Sequence, residues 1–338
     1  MKTDVIAIDP TRPDGQLLTR AGQILGRGGL VAFPTETVYG LGANALDTDA
    51  VGRIFTAKGR PATNPLIVHI AEVSEVKQVA DDWPKIAAQL AQSYWPGPLT
   101  LILPKAAAVP DVVTAGGATV AIRLPAHRVA RGLIRTAGVP LAAPSANRSM
   151  RISPTRAEHV MAGLAGRIDL VLDGGPTPGG LESTVIDLTS SPPRLLRPGL
   201  VSRDEIEAVI GPIQLPESNA ERPPASGPVR SPGMMQRHYA PTAPLECVAS
   251  ESWRRVEELH RHGARIGWLT FHGGAPISHS GVSVIELPDD PAAYAAGLYA
   301  ALHAFDAQAV DRIVVEMPPE TDAWLAIRDR LRRAGSSA

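Results

Sequence analysis

Lys58-Gly59-Arg60 sets two cations around a glycine, just after a short amphipathic run that carries Val51, Ile54 and Phe55. Guanidinium is a planar fork and ammonium a mobile point charge, so the pair at a helix end suits an oligophosphate. Helix C-termini also gather cations for reasons that involve no ligand, and spacing alone leaves both readings open. Further on, Leu141-Ala142-Ala143-Pro144-Ser145-Ala146-Asn147 runs from strand through proline into small polar residues. Ser145 and Asn147 carry hydrogen-bonding groups that fit phosphate or ribose oxygens. Upstream, Val31-Ala32-Phe33 breaks into Pro34-Thr35-Glu36-Thr37 and then Val38-Tyr39-Gly40-Leu41-Gly42. An apolar run that stops this abruptly is how an α/β protein places a site beyond the carboxyl end of a strand. A decorated turn is the plain alternative. Gly40 and Gly42 let backbone come close to a neighbour.

The elements that must hold these groups alternate along the chain. Leu17, Leu18, Ala21, Ile24 and Leu25 share one helical face, and Gly28-Gly29 ends that helix. Apolar patterns predict strands at 30–33, 66–70, 99–103, 119–124, 139–143, 170–172, 184–188 and 195–196, with helices at 85–94, 128–137 and 155–164. Strands alternating with helices predict a mixed α/β domain over 1–210. Its sheet is expected to be partly antiparallel, because 174–180 and 190–193 are too short for crossovers. Residues 211–241 are rich in Pro, Ser and Gly and read as an interdomain linker. Residues 242–338 then predict a smaller Rossmann-like α/β domain: strands at 245–249, 265–270, 282–287 and 312–316, helices at 253–262, 291–305 and 322–334. That domain lacks a Gly-x-Gly-x-x-Gly fingerprint, so no dinucleotide is inferred there.

Composition narrows the class. The 338 residues are 44% hydrophobic and 20% charged, ordinary for a globular chain with room for a large core. A net charge of -1 supplies no overall basic field for nucleic acid. The single Cys247 rules out an internal disulfide and reads as a buried strand residue rather than a nucleophile. The nine histidines show no metal spacing; His260 and His262, two apart on a predicted helix, diverge. P-loop, nucleophile-elbow and His-Glu-x-x-His patterns are all missing. The N-terminal segment has no signal-peptide core and no apolar run is long enough for a membrane span, so a soluble cytoplasmic protein is expected.

Several motifs, in order along the chain, resemble one known family. They are Pro34-Thr35-Glu36-Thr37-Val38-Tyr39-Gly40-Leu41-Gly42, Lys58 with Arg60, Trp95-Pro96-Gly97-Pro98-Leu99-Thr100, Ala121-Ile122-Arg123-Leu124-Pro125, Ser145 with Asn147, Glu182-Ser183-Thr184 and Arg197-Pro198-Gly199. The chain is similar to the threonylcarbamoyl-AMP synthases, the YrdC-like enzymes of tRNA modification. Ser231 through Pro241, with Arg237-His238-Tyr239, resembles the linker of the longer two-domain form. Gln236 stands where that form commonly has a tyrosine.

The resemblance implies a YrdC-like twisted mixed sheet, and a reaction in which L-threonine, bicarbonate or CO2, and ATP give threonylcarbamoyl-adenylate and pyrophosphate. It needs no covalent enzyme intermediate, so positioning and charge stabilisation carry the catalysis. The family match implies Lys58 and Arg60 as catalytic residues and, with Asn64, as triphosphate ligands. It implies Thr119, Ser145, Asn147, Ser153, Arg197 and His238 as further ATP-site residues. Thr35, His69, Arg123 and Ser183 are the implied threonine pocket, with Arg123 on the substrate carboxylate. The plain alternatives are a structural ion pair for Arg123, a backbone-bonded strand-end imidazole for His69 and a surface side chain for Arg197. Mg2+ is expected with ATP, held by phosphates and water rather than a protein cage, with Glu36 and Glu182 as the only candidate exceptions. The segment around Arg237, His238 and Tyr239 is expected to act as a lid over the site.

A separate tRNA threonylcarbamoyltransferase is the implied downstream partner. Weak binding of tRNA or double-stranded RNA is a further expectation, and an RNA-binding module without adenylate synthesis is the rival reading. A related carbamoyl-adenylate enzyme is a second rival, but it would carry zinc-finger and acylphosphatase-like domains that this chain lacks.

Overall fold

The computed structural model describes residues 2–215, 238–271 and 279–335. Two compact units emerge. The first comprises residues up to Ser149, Pro154–Pro178 and the chain from Glu182. The second comprises Met150–Ser153, Gly179–Leu181 and the described residues from 238 onward.

The first unit runs β1 (Asp4–Ala7), α1 (Gly15–Gly26), β2 (Val31–Phe33), β3 (Gly40–Asn44), α2 (Thr48–Lys58), β4 (Ile67–His69), α3 (Lys85–Tyr94), β5 (Leu99–Pro104), α4 (Asp111–Thr114), β6 (Thr119–Arg123), α5 (Arg128–Ala137), β7 (Leu141–Ala142), α6 (Ala157–Leu164), β8 (Leu170–Asp173), β9 (Thr184–Asp187), β10 (Arg194–Arg197) and α7 (Arg203–Ile210). Caps fix the key helix ends. Asp14 and Asp47 accept backbone N–H groups at the starts of α1 and α2, and Gly59 closes α2 in the left-handed region that favours glycine.

The sheet has the order β1-β8-β2-β3-β7-β4-β6-β5-β9-β10. It is mixed, as expected: β4 pairs parallel with β6, whereas β5–β6 and β9–β10 are antiparallel. One step of the sequence argument fails. The 174–180 segment does not join neighbouring strands, because β8 and β9 lie at opposite parts of the sheet. Its length therefore says nothing about strand direction. β1 and β3 have no counterpart among the expected strands; β3 is Gly-rich, and β1, which does carry the apolar run Val5-Ile6-Ala7, is an edge strand paired with β8.

Alternation along each strand divides the core. Val68, Val120, Ile122, Leu99, Leu101, Leu103 and Ile186 point into the larger core with Ile54, Leu90 and Val160 from α2, α3 and α6. On the opposite face, α1 and α5 cover Val31, Phe33, Leu141 and Leu170. Over β4, β6, β5 and β9 that face shows only a small apolar group, Ile67, Ala121, Ile102, Val185 and Leu196. Gly40 and Gly42 do approach a neighbour closely, and it is the Phe33 ring: a Cβ at Gly42 would lie 2.8 Å from it.

The second unit has a four-stranded, wholly parallel sheet in the order β11 (Leu245–Val248), β14 (Arg312–Glu316), β12 (Ile266–Thr270), β13 (Val282–Glu286). Its helices are α8 (Ser252–Arg261), α9 (Pro291–Ala307) and α10 (Leu325–Gly335). This is the expected Rossmann-like arrangement. Cys247 is half-buried on β11 and burial pushes its thiol up to about 11, so it is not a thiolate. Among the described residues no helix is long and apolar enough to cross a membrane.

Leu101 is fully buried at the centre of β5. Leu101→Ala is expected to destabilise the first unit by about 2–5 kcal/mol, read as a lowered midpoint of its denaturant-unfolding transition; an unchanged midpoint would contradict this core assignment.

Candidate active site

The strand register builds the site. His69 and Arg123 are direct partners on β4 and β6, so their side chains share a face, and Ile67 pairs with Ala121 on the same face. Ile102 pairs with Ala121, and Thr100 with Val185, which carries this face across β5 to β9. A polar row, His69, Arg123, Thr100 and Ser183, therefore borders the small apolar floor. Two residues back along β6, Thr119 and Ala121 open into a cavity of about 530 Å3 lined also by Leu66, Thr114, Asp187 and Ser190.

Each group in the row has a defined partner. The Ser183 and Thr100 hydroxyls lie 2.7 Å apart. Arg197 donates to the Ser183 hydroxyl and carbonyl at 3.1 and 3.0 Å. Arg197 is buried, so the surface alternative is wrong for it; β10 turns it inward. The His69 Nδ1 lies 3.3 Å from the Ile67 carbonyl, the backbone contact foreseen as the plain alternative. Burial first, then the charge of Arg123, holds His69 down at about 3, so the ring is neutral above that pH. Arg123 donates from Nε to the Gly97 carbonyl at 3.3 Å, and its Nη2 lies 2.7 Å from Glu36. The side chains of this ion pair are 5% and 14% exposed. Thr35 bonds inside its own turn, to Thr37 and to the Val38 carbonyl.

A second cluster surrounds the end of α2. Buried Lys58 donates to the carbonyls of Ser145 and Asn147 at 2.5 Å. This ties the end of α2 to the loop after β7. Burial, and next to it Arg60, pull the Lys58 pKa well below the ordinary lysine value. Arg60 donates to the Asn64 side chain at 2.6 Å and to the Pro65 carbonyl at 2.7 Å. Two buried cations with backbone partners form a site that an anion would stabilise further.

Two expected residues belong to the second unit. Ser153 and His238 are buried within the second unit, where His303 Nε2 lies 3.1 Å from the Ser153 carbonyl. The lid expectation falls on 231–237, outside the described residues, and on His238 and Tyr239. Tyr239 is fully buried in the second unit, stacked on Tyr299 and beneath the Arg330 guanidinium. Glu36 and Glu182 do not form a metal cluster; among the described residues no group of three His, Cys, Asp or Glu is placed to hold an ion. Sequence reasoning missed Thr100, Asp187 and the Glu36–Arg123 pair. Period-two alternation from Arg123 through β5 would have found Thr100, and an acid ending the apolar run Thr184–Asp187 marks the second.

Two family models together match nearly the whole chain. A family model described as "Telomere recombination", the Sua5–YciO–YrdC model, matches residues 23–199. A second, described as "Threonylcarbamoyl-AMP synthase, C-terminal domain", matches residues 201–336. The chain belongs to the threonylcarbamoyl-AMP synthase family. A threonylcarbamoyl-AMP synthase of Bacillus subtilis is 48% identical over 94% of this chain and 92% of its own. That of Pyrococcus abyssi is 46% identical over 93% and 92%. A crystal structure of P. abyssi Sua5 complexed with L-threonine matches with a TM-score of 0.90 at 44% identity, covering 98% of each chain. The family's fold accounts for both the large mixed sheet and the smaller parallel one.

The neutral His69 has a consequence for stability. The unfolded imidazole titrates near 6.5, so between that value and about 3 the unfolded chain binds one more proton. Stability from this group is complete above pH 6.5 and is lost as pH falls toward 3. His69→Gln is expected to flatten the decline of unfolding free energy between pH 6 and 4 by up to about 1.4 kcal/mol per pH unit, measured by denaturant titration. Equal slopes in the two proteins would mean that His69 is protonated in the fold.

Proposed function

We propose that this protein is a cytoplasmic threonylcarbamoyl-AMP synthase, making L-threonylcarbamoyladenylate and pyrophosphate from L-threonine, bicarbonate or CO2, and ATP. The observation that carries the proposal is full-length kinship at 48% identity with a protein of that name. The P. abyssi relative, complexed with L-threonine, supports threonine as the amino acid. None of the comparisons supports an RNA-binding module without adenylate synthesis.

The geometry suits this chemistry. Arg123 offers a guanidinium to the substrate carboxylate, while Ser183 and Thr100 offer hydroxyls beside it. Lys58 and Arg60 take the phosphates, and their backbone carbonyl partners hold them in place before ATP arrives. The cavity at Thr119 accepts the nucleoside end. Mg2+ enters as the MgATP substrate, with phosphates and water as its ligands, which fits a Lys-Arg-Ser-Asn cluster that contains no carboxylate. The N-carboxylated amine attacks the α-phosphorus and pyrophosphate leaves. The labile product passes to a separate tRNA threonylcarbamoyltransferase.

Purified protein with ATP, Mg2+, labelled bicarbonate and L-threonine is expected to form a labelled, threonine-dependent adenylate with matching pyrophosphate, seen by chromatography and mass spectrometry. L-2-Aminobutyrate, which lacks the hydroxyl, should be a far poorer substrate. Lys58→Met should lower turnover by about 100-fold or more. Absence of the adenylate from folded, ATP-binding protein would sink the proposal.

A further inference from the structure

Glu36 is a buried carboxylate with an unusual lack of hydrogen-bond donors. Among the described residues, neither of its oxygens, nor the Nη2 of Arg123, has an aligned hydrogen bond, although Nη2 and Oε1 stand 2.7 Å apart. The contact is one of charge rather than of the bidentate fork that guanidinium and carboxylate prefer. Glu36 arrives from the turn after β2, whereas Arg123 and His69 are on the sheet. The Arg123 guanidinium, the neutral His69 imidazole and the Glu36 carboxylate thus meet on this side of the sheet.

An α-amino acid zwitterion carries its own cation and anion. If its carboxylate takes Arg123, its ammonium must face an anion, and Glu36 is the carboxylate within reach of that guanidinium. An ammonium nitrogen has no lone pair, so it must lose a proton before it can attack carbon.

We propose that Glu36 is a catalytic residue, the general base that deprotonates the substrate ammonium. This rests on the proposed synthase activity. The step balances as R–NH3+ plus Glu36 carboxylate giving R–NH2 and the Glu36 carboxylic acid. The amine lone pair then attacks CO2, giving R–NH–COO− and a proton that leaves to solvent; with bicarbonate the products are R–NH–COO− and water. Glu36 returns its proton to solvent before the next turnover.

The groups around Glu36 favour this role. Arg123 from β6 places its guanidinium 2.7 Å from the carboxylate. His127, at the start of α5, is lowered by burial and raised by the Glu36 charge, so the two are electrostatically coupled. His69 from β4 is neutral and does not compete as a counter-ion. Asp173, on the strand end beside the turn, is engaged by the Tyr39 hydroxyl at 3.4 Å.

The test is turnover against pH with dissolved CO2 held constant and threonine and MgATP saturating. The wild-type rate is expected to be flat from pH 6 to 9, because the bound ammonium loses its proton to the enzyme rather than to solvent. Glu36→Gln keeps the shape, and its rate is expected to fall by about 100-fold or more at pH 7. The variant should then rise about tenfold per pH unit toward the amine pKa, since only amine already free in solution reacts. A variant with wild-type rate overturns the proposal, and so does a reduced rate with a flat profile, which would make Glu36 a holder of Arg123 only. Should the variant fail to fold, a wild-type rate that itself rises tenfold per pH unit from 6 to 8 overturns it. Failure of the synthase reading is separate: the wild type would then form no adenylate at any pH.

Discussion

Side chains on a β-strand alternate between faces, and this constraint organises the whole first unit. Odd-numbered His69, Thr119, Ala121 and Arg123 point one way; Val68, Val120 and Ile122 point the other, into the main core. A slip of one residue in β4 or β6 would bury Arg123 among leucines and expose the core. The site's geometry is therefore enforced by the same apolar residues that stabilise the fold. α1 and α5 cover the site-bearing face over β8, β2 and β7, and the apolar floor Ile67–Ala121–Ile102 is what that face carries beyond them.

The second unit obeys the opposite rule. Its sheet is parallel throughout, and β12 is buried at every position, which is how a strand covered on both faces reads. It also carries a private aromatic core: Phe271, Tyr294 and Trp324 pack together, and Tyr239 lies between Tyr299 and Arg330.

Legibility followed signal length. Apolar strands such as 99–103 and amphipathic helices such as 128–137 were readable, since packing there agrees with local pattern. β3 was not, because Gly40 and Gly42 are chosen for the Phe33 ring beneath them rather than for strand propensity. The site was half legible. Motif residues Lys58, Ser145 and Asn147 do meet, but what joins them is the ammonium of Lys58 on backbone carbonyls, and no residue-type pattern announces a carbonyl. Local pattern left a surface alternative open for Arg197, because four-residue β10 is too short to show which side faces in. Glu36 drew notice only as a metal exception, since its partner lies 87 residues away in sequence on another strand.

Two of the buried cations of this unit, Lys58 and Arg123, are handled differently. Lysine can give up its proton, so burial moves Lys58 toward neutrality and carbonyl partners suffice. Arginine cannot, and Arg123 stands instead against the Glu36 carboxylate. An arriving phosphate would therefore restore charge to Lys58, while an arriving carboxylate would have to share or replace the partner of Arg123. One cation responds by proton uptake and the other by counter-ion exchange. The second response frees a carboxylate beside the new ligand, which places a base where an amino acid brings its acidic proton.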